Sequence, residues 1–186
     1  MYKRCREGVL KKMEIENKTL QKYQRICKEQ NIELCLLNRS NTDLKRLTDI
    51  LLQINSDYLS PYQEGVSFEM YVRKLNDQAY NFVLSHEHKD IGFVSVYAND
   101  YINKASYISS MGILSTYQGK KISVLLSEII IDFTKEKNLK FIKCEVDKNN
   151  NKIIGLIEKF GLKKECETDR GTCMMILELK ESHIVK

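Results

Sequence analysis

The part of this 186-residue chain best suited to chemistry is the turn Gln118-Gly119-Lys120-Lys121-Ile122-Ser123. An apolar run, Tyr107 to Leu114, leads into it, and a helical pattern leads out. A strand that runs into such a turn and then a helix gathers backbone N–H groups and the positive end of a helix dipole at one point. That arrangement binds phosphate. Gly119 allows close backbone approach, and Lys120 and Lys121 add positive charge. An ordinary helix start can look the same, so the turn needs a second feature to become specific.

Other reactive side chains are scattered. His86 and His88 stand at i, i+2 with no third ligand nearby, and His86-Glu87-His88-Lys89-Asp90 reads as a hairpin turn, with no metal expected. The six cysteines (Cys5, Cys27, Cys35, Cys144, Cys166, Cys173) form no CxxC pair. They are expected to be reduced and mostly buried. Cys144 lacks a nearby His to activate it, so it reads as a packed thiol rather than a nucleophile.

The elements that must position these groups follow from periodicity. In the helix after the turn, Ile122, Leu125, Leu126, Ile129, Ile130 and Phe133 fall at i, i+3, i+4, i+7, i+8 and i+11. Lys140 to Val146 reads as the next strand and Asn149 to Phe160 as the next helix, closed by Gly161. Final strands cover Lys163 to Glu167 and Thr172 to Leu179, on either side of the turn Thr168 to Gly171. In the first half, Ile32 to Leu37 reads as a strand, and Ser40 or Asn41 caps a helix bearing Leu44, Leu47, Ile50, Leu51 and Ile54. A loop, Asn55 to Ser67, precedes a helix at Phe68 to Gln78 and strands at Tyr80 to Ser85 and Ile91 to Tyr97. The order β-α-α-β-β-β-α-β-α-β-β predicts an α/β mixed sheet, with a right-handed parallel crossover around residues 107–146. Arg6 to Glu29 reads as an additional N-terminal helix, either a solvated cap or a subunit contact in a homodimer. The expected organisation is a 1–30 extension followed by one domain, 31–186.

The net charge is +5. Residues 1–30 hold nine basic and four acidic residues, so the remaining 21 of each sign cancel. A basic stripe interleaved with aromatics is absent from the body of the chain, which argues against nucleic acid as a partner. No apolar run approaches the roughly 18 residues of a membrane span, and a soluble, cytoplasmic protein is expected.

Two stretches together carry a family resemblance. The run Met111-Gly112-Ile113-Leu114-Ser115-Thr116-Tyr117-Gln118-Gly119-Lys120-Lys121-Ile122-Ser123 resembles the acetyl-CoA motif [Q/R]-x-x-G-x-[G/A] of GNAT N-acetyltransferases. Lys121 stands where a glycine is usual, Ser123 where a glycine or alanine is usual, and Ser115 where a proline is common. About 30 residues on, Glu145 to Leu162 is similar to V-x-x-x-N-x-x-A-I-x-L-Y-x-K-x-G-F, with Asn150 on the motif asparagine and Ile157 on the usual tyrosine. The likeness extends over roughly residues 32–180.

The resemblance implies the GNAT fold: a six- to seven-stranded mixed sheet flanked by about four helices, besides the N-terminal one. It implies acetyl-CoA as co-substrate, held by Met111, Ile113, Gln118, Gly119, Lys120, Lys121, Ile122, Ser123 and Asn150. The reaction implied is acetyl transfer to a primary amine of a small molecule, an amino sugar being one candidate. Catalytic base candidates are Glu145 and Asp100, with Glu64 or relayed water as alternatives. Tyr58, Tyr62 and Glu64 are expected on the acceptor side, beside Phe68. Because Ile157 cannot donate a proton to the leaving thiolate, a CoA-binding module with weak or no turnover is the alternative reading.

Overall fold

The computed structural model describes residues 17–37, 40–54 and 66–180. Helix α1 is Lys18–Lys28, strand β1 Glu33–Leu36, α2 Asn41–Ile54, α3 Phe68–Gln78, β2 Tyr80–His86, β3 Lys89–Asp100 and β4 Ala105–Ile113. A 3-10 turn, Ser115–Tyr117, leads to α4 at Ile122–Glu136, then β5 Phe141–Asp147, α5 Asn151–Lys159, β6 Lys163–Glu167 and β7 Thr172–Glu178. The element order is the predicted one. Expected strand ends were short by a few residues: β3 extends to Asp100, and the β2–β3 turn shrinks to Glu87 and His88, both at positive φ.

The strands form one mixed sheet in the order β1-β2-β3-β4-β5-β7-β6. Only β4 and β5 pair in parallel, through the crossover α4; the other neighbours are antiparallel. On one face α4 buries Ile122, Leu125, Leu126, Ile129, Ile130 and Phe133 against Phe82, Val94 and Ile142. Full burial of such side chains is worth about 1.5–3 kcal/mol each, so this stripe anchors the helix that follows the turn Gln118 to Lys121. On the other face α2 and α3 pack Leu47, Leu51, Val72 and Leu75 on Val83 and Phe93.

Helix α1 does not form a solvated cap. Leu20, Tyr23 and Cys27 are buried in the same core as α4. The Glu136 carboxylate at the end of α4 accepts from the Lys18 and Thr19 N–H groups, at 3.3 and 2.7 Å, and so serves the first turn of α1 from outside. Asn17 adds its own cap, with Oδ1 accepting from Leu20 N–H at 2.7 Å. The expected start at Arg6 lies outside the described residues.

Candidate active site

The sheet opens in its middle. β4 and β5 pair only from Ala105–Phe141 to Ile108–Cys144. Beyond that point β4 stays on β3, while β5 stays on β7. The divergence begins at a bulge: Ile108 faces Val96 and Ser110 faces Ser95, so Ser109 is an extra residue on β4. A bulge bends its strand and increases the local twist, which turns β4 away from β5. Leu114 N–H bonds to Ile91 O at 2.9 Å, toward β3. Successive residues of an antiparallel strand point their N–H groups to opposite sides, so those of Ile113 and Met111 face the opening. Between them Gly112 is required. A Cβ there would lie 2.4 Å from the Ile54 side chain and 2.9 Å from the Phe93 ring.

At the mouth of this opening lies the turn singled out in the sequence. Gly119 has φ +78 and Lys121 φ +62, the latter as the N-cap residue of α4. Lysine thus carries the left-handed conformation that the motif normally gives to glycine, a strained choice that the anchored helix imposes. The first N–H groups of α4, those of Ile122, Ser123 and Val124, have no preceding helical carbonyl to bond. The Ile122 side chain is buried in the core, so only its main chain can serve a ligand. Gln118, Gly119, Lys120 and Lys121 are exposed.

The opposite wall is α5. Asn150 caps it, Oδ1 accepting from Ile153 N–H at 3.1 Å. Ile153, Leu156, Ile157 and Phe160 turn apolar surface to the cleft, and no residue of α5 is fully buried. The cavity enclosed by these elements measures about 480 Å³ and reaches from Gln118, Gly119 and Ser123 to Ser109 and Glu145. Such dimensions suit an extended ligand with a phosphate end and an apolar arm. Cys144 lines the floor, and burial pushes its thiol up to about 12, which keeps it protonated and unreactive as expected.

Glu145 lines the cleft on β5, directly after Cys144, the last residue paired with β4. Arg170, from the β6–β7 turn, reaches both of its oxygens at 2.9 and 2.8 Å. The hydroxyls of Thr172, Thr168 and Tyr107 donate to it as well. Burial, with Glu145 second, raises the Tyr107 phenol well above its usual value. Beside this cluster the Tyr71 hydroxyl of α3 lies 3.3 Å from Ser109 O and 3.3 Å from its Oγ, bracing the bulge. Tyr97 joins the same group of hydroxyls through Ser109, and burial pushes its phenol up to about 12.

Asp100 lies elsewhere. It pairs with Ala105, the first residue of β4, eight residues before Ile113. At about 3.3 Å per residue that is about 25 Å from the N–H groups at the open end. It is half-exposed, and the Asn103 backbone N–H, then its side chain, hold the carboxyl below its usual range. The structure therefore separates Asp100 from Glu145 and gives it the job of closing the β3–β4 turn. Tyr58, Tyr62 and Glu64 lie outside the described residues. Tyr71 and Arg170 escaped the sequence reading because an isolated tyrosine and a turn arginine carry no spacing signal. Among the described residues no group of three or more His, Cys, Asp or Glu could hold a metal ion, and no helix is long and apolar enough to cross a membrane.

A mixed sheet split between two parallel strands, with a glycine-containing turn and a helix N-terminus at the mouth and main-chain donors along one lip, defines an acyl-CoA-binding fold class. The chain belongs to the acetyltransferase (GNAT) family, whose model matches residues 46–162. The family uses acetyl-CoA. No curated protein matches the chain. Among solved structures it is similar to the ribosomal-protein-S18-alanine N-acetyltransferase from Escherichia coli, with TM-score 0.62 and 18% identity over 83% of this chain and 98% of that one. It is likewise similar to the ribosomal-protein-S5-alanine acetyltransferase from Vibrio fischeri, with TM-score 0.62 and 21% identity over 81% and 94%. An acetyltransferase from Bacillus anthracis solved with acetyl coenzyme A matches at TM-score 0.50 and 18% identity, over 55% and 63%. At these identities the likeness shows the fold.

Proposed function

We propose that this chain is an acetyl-CoA-dependent N-acetyltransferase acting on a primary amine, with Glu145 as the base. The observation that carries the reading is the cleft itself, which joins the phosphate-binding turn to a carboxylate through an opening lined by free N–H groups. Acetyl-CoA supplies the thioester carbonyl and a thiolate leaving group. The main-chain donors of Gly119 to Ser123 and the charges of Lys120 and Lys121 hold its pyrophosphate. The Met111 and Ile113 N–H groups and the Asn150 side-chain amide orient the arm. Ile113 N–H then donates to the carbonyl oxygen as negative charge develops there. Glu145 takes the ammonium proton, and positioning supplies much of the remaining rate. Ile157 cannot protonate the thiolate, so water does so, which is tolerable for a group with pKa near 8.5.

The first reading of the acceptor is a small molecule, an amino sugar among the candidates, with Tyr71, Tyr97 and Tyr107 offering ring surface beside Glu145. A second reading, a protein N-terminus, is favoured by the similarity to ribosomal-protein alanine acetyltransferases across nearly their full length. The five free cysteines among the described residues suit a reducing compartment such as the cytoplasm. Release of free CoA thiol is measured with amino sugars, polyamines and Ala- and Ser-starting peptides. Turnover with one class selects the acceptor. Saturable acetyl-CoA binding in calorimetry with no turnover on any amine selects the binding module instead, and absence of binding removes both.

A further inference from the structure

Glu145 is the most heavily contacted carboxylate of the cleft, and its contacts are of two kinds. The Thr172, Thr168 and Tyr107 hydroxyls come from strands and their edges and are part-buried with it. Arg170 differs. Its side chain is 56% exposed, against 14% for Glu145, and it sits in the Thr168–Gly171 turn next to a glycine at φ +75. Glu145, by contrast, is held on β5 by its pairing with Met174 of β7, one residue past the last pair with β4, and borders the cleft. The carboxylate is fixed and its cation is movable.

We infer that, in the free chain, the Arg170 guanidinium occupies the place on Glu145 that the acceptor's ammonium group takes, so that the acceptor is recognised as a cation in competition with Arg170. This rests on the role of Glu145 proposed above. Alkylammonium and guanidinium are both donor-only cations and satisfy the same lone pairs. The incoming cation replaces the charge that leaves, so Glu145 is never left unpaired and the exchange costs little beyond moving the half-exposed Arg170 into water. The three hydroxyls keep Glu145 in place when Arg170 leaves. Release of Arg170 also frees a guanidinium at the rim, able to meet an anionic group of the acceptor. The ammonium then loses its proton to the carboxylate it has bound, and no further reactant is needed.

The test uses 15N-labelled full-length protein and n-butylammonium chloride as probe, at constant ionic strength, following the amides of Glu145 and Thr172. Arg170→Gln is expected to bind the probe about two- to fivefold more tightly than the parent, the range an exposed ion pair is worth. Guanidinium chloride should compete in that variant, and Glu145→Gln should lose saturable binding. Arg170→Lys, which keeps a competing cation, should resemble the parent. Equal or weaker binding by Arg170→Gln overturns the inference, as does saturable binding that survives Glu145→Gln. Each variant's amide spectrum reports whether it is folded. Calorimetry with acetyl-CoA on the same samples separates the two ideas: loss there sinks the enzymatic reading, whereas normal acetyl-CoA binding with an unchanged amine titration sinks only the competition by Arg170.

Discussion

His86 Nδ1 lies 2.9 Å from the Tyr117 hydroxyl, a bond that ties the end of β2 to the 3-10 turn before the Gln118–Lys121 loop. The two rings are 5.8 Å apart between centroids and tilted by 60°. Lys120 Nζ sits 4.5 Å from the centre of the Tyr117 ring, so the loop's own lysine packs on the residue that β2 holds. A Cβ built on Gly119 would meet nothing within 4 Å, so the loop is open on that side and gains support from the strand beside it.

Tyr117→Phe removes that bond and keeps the ring. A hydrogen bond of this kind is worth about 0.5–1.5 kcal/mol net, so acetyl-CoA affinity should fall about two- to tenfold, with secondary structure unchanged. Isothermal calorimetry measures it; an unaltered Kd would mean that the loop is ordered without His86.

Lys121 stands at φ +62 as the N-cap residue of α4, and its side chain makes no capping bond. Lys121→Gly relieves the left-handed strain and should raise stability by about 0.5–1 kcal/mol, or about 1–4 °C in Tm. Acetyl-CoA affinity should fall a little at low salt, because the Lys121 charge is lost while the main-chain N–H groups remain. A branched residue at the same place, as in Lys121→Val, should shift Tm the other way. Thermal unfolding followed by circular dichroism decides both.

Ile157 lines the cleft where a proton donor is needed. Ile157→Tyr is expected to raise kcat by up to about tenfold and to leave the KM for acetyl-CoA within about twofold, since only departure of the thiolate is assisted. A fall in kcat with this variant would show that the space is needed for the cofactor arm.

Burial raises several acids whose neutral forms the fold prefers: the Cys27 thiol to about 11, Cys144 to about 12, and the Tyr23 phenol, which also feels Asp132, to about 12. Each is a group with a folded-state value above its unfolded one, so the native state holds more protons between the two values. Stability from these groups is complete below about pH 9 and is lost as pH rises through about 12. Urea unfolding at pH 8, 9.5 and 11 should show midpoints that fall with each step. A flat series would place these side chains in contact with water.

Much of this protein is written in local pattern. The apolar stripe from Ile122 to Phe133 specifies α4 at a period of 3.6, and Asn150 specifies the start of α5, because helices and caps depend on residues three or four apart. The turn from Gln118 to Lys121 was legible for the same reason, being one short segment between a strand and a helix. Strand ends were less so, as β3 and β4 extend to residues whose pairing partners sit across a hairpin rather than next in the chain. The rest of the site depends on packing at long range. Ser109 reads as an ordinary strand residue until β3 and β5 lie on either side of it and its bulge opens the sheet. Asp100 and Glu145 look alike as isolated acids in a string of residues. Only the assembled sheet sends one to a remote turn and surrounds the other with Tyr107, Thr172 and Arg170, because those contacts span 25 to 38 residues and cost loop entropy that only the whole core can offset.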